Sequence, residues 1–215
     1  MAFLDRRDAG RQLGASLKRY SGEDVLVLAL PRGGVPVAYE VARALQAPLD
    51  VIVVRKLGVP GHRELAMGAI ASGAVRVLNA DVIEALRIPP AAVDAVAAEE
   101  LEELERQERA YRGNAPSPRV AGRTVIIVDD GLATGSTMRA AVRALEQAHA
   151  GRIVVAVPVA AFETARKMRQ EADLVCLSEP SEFYAVSMWY DDFSQTTDEE
   201  VRNLLESASG APVSQ

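Results

Sequence analysis

Runs dominated by consecutive apolar residues recur at 25–30, 49–54, 124–128, 152–157 and 174–177. None alternates strictly with polar residues, so each reads as a strand covered on both faces. Helical spacing fills the intervals. It predicts helices over 5–20 (closed by Ser21-Gly22), 34–45, 136–148 and 162–170. Residues 55–66, rich in Gly, Pro and charge, read as a loop, followed by short strands at 67–71 and 75–78. Strands alternating with helices imply an α/β fold with a parallel sheet wound by right-handed crossovers.

Residues 80–113 break this rhythm. A short helix at 81–86, a Pro89-Pro90 break and a longer helix to about 112 read as a helical insertion, placed to cover a site or a partner subunit. The long helix has an apolar stripe of Val93, Ala97, Leu101, Leu104 and Tyr111. Six of residues 99–108 are Glu, but Glu102/Arg106, Glu105/Arg109 and Glu108/Arg112 stand at i,i+4. That spacing reads as a solvated, self-paired face rather than a metal site. The stretch 207–215 reads as a soft tail.

Length and composition sharpen the picture. A chain of 215 residues suits one domain, spanning 1–215. The single cysteine, Cys176, lies in the apolar run 174–177, reads as a small buried hydrophobe, and excludes an internal disulfide or a Cys-based zinc cluster. With no apolar leader in residues 1–7 and no apolar run long enough to span a bilayer, the expectation is a soluble cytoplasmic protein. The net charge of −6 argues against a general nucleic-acid binder. Residues 1–70, however, hold ten Lys/Arg against seven Asp/Glu, so a net +3 there faces −9 elsewhere. A locally basic first third on an acidic chain suits a small anionic ligand. Only ten residues are aromatic, and five of them (Phe183, Tyr184, Trp189, Tyr190 and Phe193) fall within eleven positions.

The chemistry concentrates in VIIVDDGLATGST, residues 125–137. Four apolar residues bring a buried strand to its carboxyl end, where parallel sheets place ligands, and deliver Asp129 and Asp130 there. Gly131 and Gly135 permit backbone that side chains forbid, and the helix that follows presents its positive end. Such a loop holds a phosphate without lysine. A Walker-type loop would need Gly-Lys-Ser/Thr, whereas Gly135 is followed by Ser136, so the ATPase reading fails. Two carboxylates beside a phosphate are tolerable if they engage hydroxyls or a divalent cation, which describes a sugar phosphate bearing a diol with Mg2+ nearby.

All thirteen positions resemble the phosphoribosyl pyrophosphate (PRPP) signature of the type I phosphoribosyltransferases, and the resemblance extends over residues 20–80 and 120–195. It implies that Asp129 and Asp130 hold the ribose 2′- and 3′-hydroxyls, and that Ala133, Thr134, Gly135, Ser136 and Thr137 bind the 5′-phosphate. Pro31-Arg32-Gly33-Gly34, after the first strand, resembles the family's pyrophosphate loop, which implies a cis peptide at Pro31–Arg32. There Arg32 offers forked donors, and Gly33 and Gly34 expose amides. Arg55, Lys56, His62 and Arg63 lie where the family has a mobile loop that closes over PRPP and excludes water. Arg55 and Lys56 are the expected pyrophosphate contacts, while His62 and Glu64 read first as loop residues and His149 as a helix-end cation.

The aromatic segment 183–195 resembles, within a hood at 180–195, the part of purine-salvage relatives that covers the nucleobase. By that analogy Phe183 stacks on the base, the Tyr184 backbone reads its edge, and Asp191 or Asp192 lies near pyrophosphate and metal. One departure is that Tyr190 stands where purine relatives carry an acidic residue when the Phe is matched.

The resemblance implies a PRPP- and Mg2+-dependent phosphoribosyltransferase with Asp129, Asp130, Arg32 and Lys56 as its central residues. Its acceptor would be a nitrogenous base, purine favoured, and its products a nucleoside monophosphate and pyrophosphate. A homodimer is the oligomer to test. The alternative is a PRPP- or nucleotide-sensing protein of the same fold that does not turn over, or a partner protein docking through the insertion.

Overall fold

The computed structural model describes residues 3–113 and 115–210, apart from the side chain of Arg63. The elements run α1 (Arg6–Ser16), β1 (Val25–Ala29), α2 (Gly34–Leu45), β2 (Leu49–Val51), β3 (Val54–Val59), β4 (His62–Ala71), β5 (Val75–Leu78), α3 (Ala80–Ala85) and α4 (Pro90–Arg112). They continue through β6 (Thr124–Val128), α5 (Ser136–Gln147), β7 (Arg152–Val159), α6 (Phe162–Met168), β8 (Asp173–Ser178) and α7 (Asp198–Ser209).

Five strands form a parallel sheet in the order β2-β1-β6-β7-β8. Alternation along each central strand divides the core. Val25, Val27 and Ala29, with Ile126 and Val128, face a layer that includes α2, α4 and α7. Leu26 and Leu28, with Val125 and Ile127, face α5 and α6. Both sides are buried, which is why these strands carry uninterrupted aliphatic runs rather than alternating ones.

Several expectations change. The loop expected at 55–66 is instead the hairpin β3–β4, extended by β5 into a second, antiparallel sheet. The apolar run at 49–54 therefore splits: β2 ends at Val51, and β3 opens the new sheet at Val54. The hairpin closes through the two-residue turn Pro60-Gly61, where Gly61 has φ +80°; strand pairing has overridden the loop-like composition. The first helix ends at Ser16, and a 3-10 turn over Lys18–Tyr20 follows.

The long helix α4 is not merely a solvated, self-paired cover. Its Val93, Ala97, Leu104 and Tyr111 enter the main core, and its Arg112 is buried among Asp50, Glu108 and the Val51 carbonyl. Arg106 pairs with Glu103 rather than Glu102, while the Glu105/Arg109 and Glu108/Arg112 pairs form as spaced. Residues 207–209 belong to α7 instead of a soft tail, and 211–215 lie outside the described residues. Helix α7 carries clear start signals: Thr197 caps it, three acids fill its first turn, and Val201, Leu204 and Leu205 are buried.

Cys176 is half-buried in β8, and burial pushes its thiol up to about 11. Among the described residues, no helix is long and apolar enough to cross a membrane.

Candidate active site

The ends of β1 and β6 lie side by side in register, with Ala29 paired to Val128, so the two loops leaving them meet at the carboxyl edge of the sheet. The first loop is Pro31-Arg32-Gly33-Gly34, and its Pro31–Arg32 peptide is cis. The second begins with Asp129 and Asp130. The glycines are what allow the loops to touch. A Cβ on Gly33 would stand 2.1 Å from the Asp130 Oδ2, and one on Gly34 would stand 2.7 Å from the Val128 carbonyl oxygen. Neither position has room for a side chain.

The two acids are hemmed in by protein. Asp129 Oδ1 accepts the Asp130 amide at 2.8 Å, which fixes its carboxylate against the backbone. Burial, and then the charge of Asp130, hold the Asp129 carboxyl well above its ordinary range. Burial also raises Asp130, although the Arg6 guanidinium beside it pulls the other way. Arg6, at the start of α1, donates from Nε to Asp130 Oδ2 at 2.9 Å. Sequence reasoning missed this residue, because 124 positions separate the partners and no local pattern links them. The hydroxyl of Tyr190 donates to the Asp130 carbonyl at 2.6 Å, and burial drives that phenol far upward.

Beyond the acids, Gly131 packs beneath Val186, and Leu132 is buried and bridged to Ala160. Ala133, Thr134, Ser136 and Thr137 are exposed around Gly135, whose φ of +72° opens α5. The Ala133 carbonyl accepts the Thr164 hydroxyl, and the Thr134 and Ser136 hydroxyls lie 3.3 Å apart. A turn with exposed hydroxyls ahead of a twelve-residue helix can receive an anion on its amides and the helix's positive end.

The cations separate. Neighbours on a strand point to opposite faces. Arg55 turns toward α4, where its Nε donates to Glu100 at 2.5 Å. Lys56 faces α5, lining with Ser136, Thr137, Arg139, Arg143 and Asp81 a cleft of about 510 Å3. The structure therefore brings Lys56 to the phosphate-loop side and occupies Arg55 elsewhere. Arg32, two-fifths exposed, has Asp198 of α7 at 3.8 Å. His62 and Glu64 are exposed on the hairpin, and Arg63 contributes no described side chain. His149 is exposed just past the end of α5, in left-handed backbone.

The aromatic cluster divides as well. Within residues 183–195 the chain forms a 3-10 turn over Val186–Trp189. Phe3, Tyr190 and Phe193 stack as tilted rings, and Phe183 and Trp189 pack against the same small core. Tyr184 is 81% exposed and free of that packing. Asp191 and Asp192 are exposed, their amides donating to the Phe3 and Leu4 carbonyls.

Comparison with known proteins shows the family and the fold. The family profile described as phosphoribosyl transferase domain matches residues 6–191. A curated protein of Mycobacterium tuberculosis H37Rv, named only provisionally as a phosphoribosyl transferase, is 49% identical over 207 residues. That match covers 96% of this chain but 47% of the relative, so the chain spans about half the length of the curated relatives it matches. The crystal structure of TT1426 from Thermus thermophilus superposes with a TM-score of 0.87 at 42% identity, covering 98% of this chain and all of the other. A purine phosphoribosyltransferase structure from Pyrococcus horikoshii shares the fold at 17% identity, with a TM-score of 0.50 over 89% of this chain and 93% of that one.

Proposed function

The chain belongs to the phosphoribosyl transferase domain family, and from that premise we propose that it binds PRPP and transfers the 5-phosphoribosyl group to a nitrogenous base, purine favoured, releasing pyrophosphate. One observation carries the reading. The Asp129–Asp130 tip, the exposed turn at 133–137 and the Gly33-Gly34 loop converge at one edge of the sheet, with Gly33 against the Asp130 carboxylate.

In this reading Ala133, Thr134, Gly135, Ser136 and Thr137 bind the 5′-phosphate, and the two acids accept from the ribose hydroxyls. Arg32 and the Gly33 amide receive the pyrophosphate, with Lys56 reaching it from the cleft beside Ser136 and Thr137. The Gly34 amide, expected from the sequence to be exposed, is already donated to the Leu30 carbonyl at 3.1 Å. The lone pair of the base nitrogen forms the bond to C1, the C1–O pair leaves with pyrophosphate, and the nitrogen's proton passes to water. Fixed donors at the leaving group and fixed carboxylates at the ribose lower the barrier by orientation and electrostatics. Arg55 joins them only by leaving Glu100. Phe183 and the exposed Tyr184 are the surfaces nearest in character to a base platform.

Magnesium fits the donor set, since the Asp129 and Asp130 carboxylates are hard oxygen ligands. Among the described residues, no three His, Cys, Asp or Glu side chains gather into a cage. In this reading the cation would be held through the substrate's own oxygens, with Asp129 and Asp130 acting by way of the ribose and Asp191 as a further candidate ligand. When bound, it would neutralise charge on the departing pyrophosphate.

A panel of bases assayed with Mg2+ and PRPP for pyrophosphate release tests the proposal. Turnover with at least one base is expected, and Asp129→Ala combined with Asp130→Ala should abolish PRPP binding. PRPP binding without any turnover would favour a sensor. Unchanged PRPP affinity in the double variant would overturn the site assignment.

A further inference from the structure

We propose that Arg6 is a positioning residue for ribose recognition, clamping Asp130 in place and tying it to the 190–194 segment on the base side. This rests on the PRPP reading above. Arg6 occupies the first position of α1, an end whose dipole disfavours a cation, and its charge is met by Asp130. Two of its donors and one face of its guanidinium are engaged. Nε donates to the carboxylate at 2.9 Å, Nη1 donates to the Ser194 carbonyl at 2.7 Å, and the guanidinium carbon lies 3.8 Å from the centre of the Phe193 ring. Only 11% of the side chain is exposed, and 15% of its partner's.

Two independent features hold this clamp in position. The start of α1 is anchored by backbone pairing, with the Phe3 amide donating to Trp189 and the Asp191 and Asp192 amides donating to Phe3 and Leu4. On the other side, a Cβ at Gly33 would meet both Asp130 Oδ2 and, at 3.4 Å, Arg6 Nε. The pyrophosphate-loop glycine, the ribose acid and the arginine thus form one contact. A lysine could supply the charge, but its single ammonium cannot span carboxylate, carbonyl and ring face at once.

In this proposal Arg6 acts through Asp130 rather than by contact with substrate. Its loss should therefore weaken ligands that carry the ribose diol and spare those that do not. Titration calorimetry on the full chain with Mg2+, using PRPP and inorganic pyrophosphate separately, reads this directly. Arg6→Gln should weaken PRPP by about tenfold or more while leaving pyrophosphate within about twofold, the scale of one lost charged hydrogen bond. Arg6→Lys, which keeps the charge, should fall between. On an Asp130→Asn background, Arg6→Gln should add less than about twofold, because the pathway is already cut.

Equal weakening of both ligands by both variants, unchanged PRPP affinity in Arg6→Gln, or full additivity with Asp130→Asn would overturn the role. A wild-type chain that binds pyrophosphate but not PRPP would overturn the functional reading itself and this role with it, an outcome separable from any effect of the variants.

Discussion

At the scale of single residues, the site is built against its own stability. Asp129 and Asp130 are crowded together at a strand tip, and burial raises both carboxyls. An acid whose folded pKa lies above its unfolded value binds more protons folded than unfolded between the two values. Folding stability therefore falls as pH rises through that window and is recovered below it. Asp129→Asn removes one charge yet keeps an oxygen for the Asp130 amide. The variant should melt higher than wild type at pH 7, by roughly 2–4 °C, the shift that about 1 kcal/mol produces in a domain of this size. The gain should shrink as pH is lowered toward the ordinary carboxylate range, while PRPP binding is lost. Melting curves at several pH values check the sign; a lower melting point at pH 7 would show that the acid pair is structural rather than functional.

At the scale of elements, α4 shows how one helix carries charges of opposite consequence. Arg106 and Glu103 form a close pair on the exposed face, two-thirds of Arg106 being in water. Arg112 lies on the same helix but is 7% exposed, satisfying Asp50, Glu108 and the Val51 carbonyl at the base of β2. Removing Arg106 exchanges protein contacts for water, whereas removing Arg112 strands two carboxylates and a carbonyl. Arg112→Ala should cost about 3 kcal/mol in urea unfolding, and Arg106→Ala within about 0.5 kcal/mol. The hairpin β3–β4 makes a related point. Its strand geometry sends Arg55 to α4 and Lys56 to the cleft beside α5, so adjacent cations serve different surfaces.

At the scale of the molecule, the candidate site draws on segments from the whole chain: α1, the loops after β1 and β6, the hairpin and the 190–194 stretch. A ligand that bridges them must oppose global unfolding. PRPP at a hundredfold excess over its dissociation constant should stabilise the fold by about 2.7 kcal/mol, raising the melting temperature by roughly 5–11 °C. Differential scanning calorimetry with and without PRPP checks this, and Asp130→Asn should blunt the rise. Much of the scaffold was legible in the amino-acid order. Uninterrupted aliphatic runs can be satisfied only by strands covered on both faces, so the parallel sheet follows from local pattern, as does the placement of Asp129–Thr137 at a strand's carboxyl end. The cis peptide at Pro31–Arg32 was legible too, through the resemblance of its loop. The hairpin was hidden because Gly and Pro mark loops and tight hairpin turns alike, and α7 was overlooked although its cap and first-turn acids were in plain sight. Amino-acid order was enough to say which residue types reach the edge of the sheet. Their partners came only with folding: Arg6 with Asp130, Arg55 with Glu100, Tyr190 beneath the acid tip while Tyr184 stays free. The reason is physical. Backbone preference and burial periodicity are written over a few neighbouring residues, whereas an ion pair depends on where segments distant along the chain come to rest.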